Sequence, residues 1–157
     1  MAKKKKGNRP GIRSVGRTLA FQVLYGIQFA PKGKAVDAET AFAQNPLVLE
    51  HDSETAREFA HDLVVGVQAN LDQIDTVIKD HSQHWKIERI AAIEISILRL
   101  GLYEMMMTDM PLKAVINEGI ELSKTFGEGK SRGFINGILD GVAKSVASGK
   151  YDIKKSF

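Results

Sequence analysis

Arg17, Phe21, Tyr25 and Gln28 recur at three- to four-residue steps near the start of the chain, a spacing that puts them on one face of an α-helix. Guanidinium groups pair with phosphates and aromatic rings stack on unpaired bases, the combination by which single-stranded RNA is commonly held. The spacing leaves a second reading open, in which Phe21 and Tyr25 pack beneath another layer of helices. Gly127-Glu128-Gly129-Lys130-Ser131 is the other constellation with a bearing on phosphates. It resembles the end of a phosphate-binding loop, yet the position of the first required glycine holds Lys124, and the segment follows a helical stretch where such loops follow a strand. Nucleotide hydrolysis is therefore set aside. What remains is a helix start near Ser131 whose free amides, with Lys130 and Arg132 beside them, suit a phosphate group. Phe134 lies at the edge of that helix's apolar stripe, as a core residue or as a stacking platform.

Other chemistry finds little support. His81 and His84 stand near Asp80 and Glu88, but no third ligand follows at a metal-binding spacing. No nucleophile elbow is present, nor a pair of acids set for acid and base work. The chain has no cysteine, which removes thiolate metal sites and cysteine nucleophiles and is compatible with a reducing, cytoplasmic compartment. No cofactor is expected. Met105, Met106, Met107 and Met110 could fill a core or form an adaptable surface that permits pairing with a second copy. Glu94 shares a helical sector with Ile90, Ile97 and Gly101, so its carboxylate needs partners: a buried hydrogen bond or ion pair, or a sector opening at a partner surface.

The elements that must position these groups are helical. A chain of 157 residues with 43% apolar and 26% charged content suits one globular domain. The net charge of +3 conceals a segregation: the first 36 residues carry nine bases and no acid, while the remainder carries 13 bases against 19 acids. Such an arrangement points to a polyanionic partner, the bland alternative being a solvated tail. The basic start lacks the apolar run of a secretory signal, and no stretch is long enough to span a bilayer.

Ile12, Val15, Leu19, Val23 and Ile27 make the core stripe of a first helix, ended by Pro31-Lys32-Gly33. A weaker segment, 37–44, precedes the break at Asn45-Pro46. Ala56, Phe59, Ala60, Leu63, Val64 and Val67 mark the next helix, and Asn70 with Gln73 reads as a capping box opening another through Ile74 and Ile78. Between Ile87 and Met107 the apolar residues cover nearly the whole circumference, as in the central helix of a bundle. Pro111 and Gly127 bracket the following helix. The last begins at Ser131 with the stripe Ile135, Ile138, Leu139, Val142 and Val146, and Gly137 and Gly141 offer a face for close helix approach. The fold class is all-α, a bundle of about seven helices, with residues 1–12 a basic arm, 13–148 the domain and 149–157 a tail.

Several segments together carry a family likeness. Ala20-Phe21-Gln22-Val23-Leu24-Tyr25, Glu94 with Ile97-Leu98-Arg99, Tyr103-Glu104, Ala114-Val115-Ile116-Asn117-Glu118, Ser123-Lys124-Thr125-Phe126-Gly127, and Phe134-Ile135-Asn136-Gly137-Ile138-Leu139-Asp140 stand in the order found in the NusB family, which the chain resembles from about Arg13 to Val146. The resemblance implies a NusB-like helical fold and a non-enzymatic transcription antitermination factor. Such a factor binds single-stranded boxA RNA of nascent ribosomal transcripts jointly with NusE, a small-subunit ribosomal protein, within an antitermination complex on RNA polymerase. Transferred by position, RNA contacts fall on Arg13, Arg17, Phe21, Lys130, Ser131, Arg132 and Phe134, and partner contacts on Tyr25 and Glu94. Ser14 and Gly16 depart from a denser arginine cluster, and Lys130 replaces an acid familiar in some relatives. The competing readings are a structural interaction module and an accessory domain related to ribosomal RNA methyltransferases. On the RNA reading, Arg17, Tyr25 and Phe134 share one open surface.

Overall fold

The computed structural model describes residues 11–31, 37–82 and 85–157. Among them eight α-helices follow in order: α1 (Ile12–Ile27), α2 (Ala38–Gln44), α3 (Pro46–Leu49), α4 (Glu54–Ala69), α5 (Leu71–His81), α6 (Ala92–Met107), α7 (Leu112–Phe126) and α8 (Gly129–Ala147). A 3-10 turn over Ile87–Arg89 leads into α6. The lysine run at 3–6, Lys32, Lys34 and His84 lie outside the described residues.

Local chemistry explains several boundaries. Asp37 accepts a hydrogen bond from the Glu39 amide and opens α2, the Asn45 side chain accepts from Leu47 N–H ahead of Pro46 in α3, and Ser53 Oγ accepts from Ala56 N–H at the start of α4. The expected capping box at α5 does not form. Asn70 instead donates to the Gly66 carbonyl at 2.8 Å, so its side chain finishes α4 rather than opening α5. The last helix begins two residues before Ser131, at Gly129.

Helix α6 occupies the centre, packed against α1, α4, α5, α7 and α8. Ile95, Ile97, Leu98, Leu100, Leu102 and Met105 are all sealed, each contributing about 1.5–3 kcal/mol by leaving water. Helix α1 lies between α4 and α6 and reaches α7 through side chains. Its orientation follows from side-chain pairs: Ser14 reaches Glu118 and Phe21 reaches Phe126, so α1 and α7 run parallel. Arg17 reaches Glu104 and Gln28 reaches Ser96, so α1 and α6 run antiparallel.

Close approach depends on glycines other than the pair expected on α8. A Cβ on Gly119 would stand 2.5 Å from Leu139 Cδ1, and one on Gly16 would stand 2.6 Å from Phe59 Cδ1. Gly137 faces open space, and Gly141 would meet only the His81 ring, at 3.3 Å. Residues after α8 fold back on the bundle. Tyr151 and Ile153 pack against the core, and Lys155 Nζ donates to the Glu104 and Met110 carbonyls at 3.1 and 2.7 Å, closing the α6–α7 turn.

Candidate nucleic-acid interface

The first half of α1 is built around a sealed ion pair. Arg17 is 3% exposed and grips Glu104 of α6 in a fork, with Nε at 2.7 Å from Oε1 and the terminal nitrogen at 2.9 Å from Oε2. A terminal nitrogen also approaches Met110 Sδ at 3.0 Å, and Glu118 lies 3.9 Å away. The expected outward cation is therefore a correction: Arg17 is enclosed by α4, α6 and α7 and has no open face toward a phosphate. Phe21, 2% exposed, is the second correction. Its ring packs against Phe126 with centroids 4.8 Å apart, because α7 covers the side of α1 that lies opposite its α4-facing stripe. Arg13, one turn before Arg17, is exposed, and its guanidinium lies over Phe59 of α4.

The other end of the bundle gathers the end of α1 with the starts of α6 and α8 and the end of α7. Tyr25 is half-buried, and Phe29, 64% exposed, meets it edge-on at 4.9 Å. Gln28 donates to the Ala92 carbonyl at 2.8 Å and to Ser96 Oγ, tying this end of α1 to the start of α6. Glu94 is only partly buried, and its Oε1 accepts a hydrogen bond from Ser131 Oγ at 2.8 Å. Ser131 is buried and its hydroxyl is committed to that bond, so it joins two helix starts and is not an open contact.

Lys130 and Arg132 are exposed in the first turn of α8. That helix has no side-chain cap at Glu128 and no acid of its own in its first turn, so its first amide donors lack a capping side chain, with Glu94 bonded to Ser131 as the neighbouring carboxylate. Phe134 is half-buried, packed on the core with one side reachable. The fold thus brings Lys130, Arg132, Phe134, Tyr25 and Glu94 to one end. Arg13 stands toward the opposite end of α1, about 12 Å along the helix axis from Phe21.

Spacing alone missed Phe29 and Glu104, and placed Phe59 only in the α4 apolar stripe. Phe29 continues the four-residue step from Phe21 and Tyr25, which was a usable signal; Glu104 reads as one acid among many until α6 is placed beside α1. Residues 37–81, spanning α2 to α5, carry ten acids and two bases, whereas Arg13 of α1, at the edge of α4, and Lys130 and Arg132 at the start of α8 are exposed cations. The methionines are mostly occupied: Met105 is sealed, and Met110 is engaged by Arg17. His81 bonds the Val77 carbonyl and Ser145 Oγ, and among the described residues no group of three candidate metal ligands converges.

Comparison with known proteins gives this geometry a lineage. The model of the NusB family matches residues 14–144. The transcription antitermination protein NusB of Oleidesulfovibrio alaskensis is 46% identical over 151 residues, 95% of this chain and 97% of its own length. Among solved structures, NusB of T. maritima superposes with a TM-score of 0.75 at 29% identity, covering 92% of this chain and 99% of that one. A crystal structure of the antitermination factors NusB and NusE in complex with double-stranded RNA contains a chain that matches with a TM-score of 0.73 at 26% identity, covering 85% of this chain and 97% of that one. Sequence along nearly the whole length and helical architecture agree, and the chain belongs to the NusB family.

Proposed function

We infer that this protein is a transcription antitermination factor that binds boxA-type RNA of nascent ribosomal transcripts together with a NusE-type ribosomal protein. The observation that supports it most directly is the open, uncapped start of α8. There Lys130 and Arg132 project beside Phe134, at the end of the bundle where Tyr25, Phe29 and Glu94 also surface. Cations over free helix amides hold phosphates, and a reachable ring stacks a base.

The residues divide by what they can touch. Arg13, Lys130, Arg132 and Phe134 contact RNA, and Tyr25, Phe29 and Glu94 face the protein partner. Arg17, Phe21 and Ser131 hold the helices that present them. The chain acts by binding, without catalysis, in the cytoplasm as part of an antitermination complex with RNA polymerase. Among the described residues no helix is long and apolar enough to cross a membrane. The match to antitermination proteins over 97% of a relative's length favours this reading over a methyltransferase accessory domain.

Titration of fluorescent boxA-like RNA, single-stranded and as a duplex, with and without the NusE-type partner, tests the assignment. Sequence-dependent binding strengthened by the partner is expected. Binding indifferent to both sequence and partner refutes it.

A further inference from the structure

The sealed and the open arginine of α1 are linked through one ring. Phe59, on α4, lies against the backbone of α1 at Gly16, where any Cβ would come within 2.6 Å of its Cδ1 and 3.1 Å of the Ala56 carbonyl. The missing side chain leaves a slot, and the ring fills it. Arg17 Cζ stands 5.2 Å from the ring centroid and Arg13 Cζ 5.9 Å, both within the range of cation–π attraction. Arg17 is fixed independently by its fork onto Glu104. Ring and buried guanidinium therefore have little freedom; Phe59 is partly buried and Arg13 is exposed to solvent.

We propose that Phe59 is a positioning residue for RNA binding: seated in the Gly16 slot and backed by Arg17, its ring holds the Arg13 guanidinium extended at the rim of α1 as a ready fork for a backbone phosphate. A free arginine surrenders rotamer freedom when it grips a phosphate, and one already laid on a ring surrenders less. The inference rests on the RNA-binding reading and adds to it a residue that need not touch RNA.

A double-mutant cycle on the full-length protein tests it, with affinity for boxA-like RNA measured across a salt series and the Arg13 side-chain proton shifts measured by NMR without RNA. Arg13→Ala should weaken binding and lower the salt slope by about one. Phe59→Leu should weaken binding by roughly two- to fivefold, the worth of an exposed cation–π contact, with the slope unchanged and the ring-induced upfield shift of the Arg13 protons lost. Phe59→Tyr should restore both, and Phe59→Leu should add nothing when Arg13 is already alanine. If Phe59→Leu is without effect while Arg13→Ala weakens binding, or if Phe59→Leu acts equally in both backgrounds, the positioning role is wrong although RNA binding stands. If the wild-type protein fails to bind RNA while the upfield shift is present, the functional reading falls and the proposal falls with it.

Discussion

The two ends of α1 present similar residue types under opposite conditions. Toward its start, Arg17 is locked onto Glu104 among buried neighbours; past its end, Phe29 lies mostly open beside a half-buried Tyr25. A helical wheel treats both as one face. The difference comes from what lies alongside: α6 and α7 cover the first half on the side away from α4, whereas the second half runs out to where α6 and α8 are only beginning. A side chain's availability is a property of the packed neighbours rather than of its angular position.

The most severe way to break this contrast is to strip the sealed end of its acid. Glu104→Ala removes the fork from a buried guanidinium, leaving it only the distant Glu118, and should cost about 3–5 kcal/mol, a fall in melting temperature of roughly 6–20 °C for a domain of this size. Replacing both partners, Arg17→Met with Glu104→Leu, should recover most of that loss, since the pair itself adds little net stability over apolar residues. A melting temperature unmoved by Glu104→Ala would show that Arg17 is not sealed in solution. At the open end the expected losses fall on binding. Lys130→Asp should reduce RNA affinity several-fold and lower the salt slope by about one phosphate contact; an unchanged slope removes Lys130 from the interface.

Ser131→Ala probes the join between the α6 and α8 starts. Loss of its bond to Glu94 should cost about 1 kcal/mol of stability, and freeing the carboxylate should alter affinity for the protein partner more than for RNA. Equal effects on both would place Glu94 outside the partner surface. The smallest effect belongs to the far flank, where His61 of α4 reaches Glu39 of α2 at 2.6 Å. Its hydrogen bond to Glu39 raises the His61 pKa above the ordinary 6.5 against an opposing desolvation, with help from Asp62. The folded state then favours the protonated ring, so this stabilisation is complete below about pH 6.5 and disappears as pH rises through the raised value. Screening at a half-open site limits it to about 0.5 kcal/mol. His61→Gln should flatten the pH dependence of stability in that window and leave RNA binding untouched.

Helix α6 was legible in the sequence because apolar residues all round a helix leave no solvent face, and Leu98, Leu100 and Leu102 are indeed sealed. The α8 stripe was equally plain: Ile135, Leu139, Val142 and Val146 have no exposure. Arg17 was misread, and Phe21 left open until the resemblance assigned it to RNA, because periodicity reports the angle around a helix but not how many neighbours that helix has. Their burial needed the placement of Glu104 and Phe126, 87 and 105 positions away along the chain. The false capping box at Asn70 arose from a different ambiguity. A short amide can serve the helix before it as well as the one after it, and here the Gly66 carbonyl prevailed. The basic start of α8 was readable within two residues, since its chemistry is local.

The Lys155 clasp bears on the order in which the molecule can be completed. Its ammonium reaches the carbonyl of a residue made 51 positions earlier, so at ordinary synthesis rates of about 5–20 residues per second the end of α6 waits roughly 3–10 s for this closure. Until Lys155 is made, the Glu104 and Met110 carbonyls at the α6–α7 turn lack the ammonium donor that joins them in the finished fold.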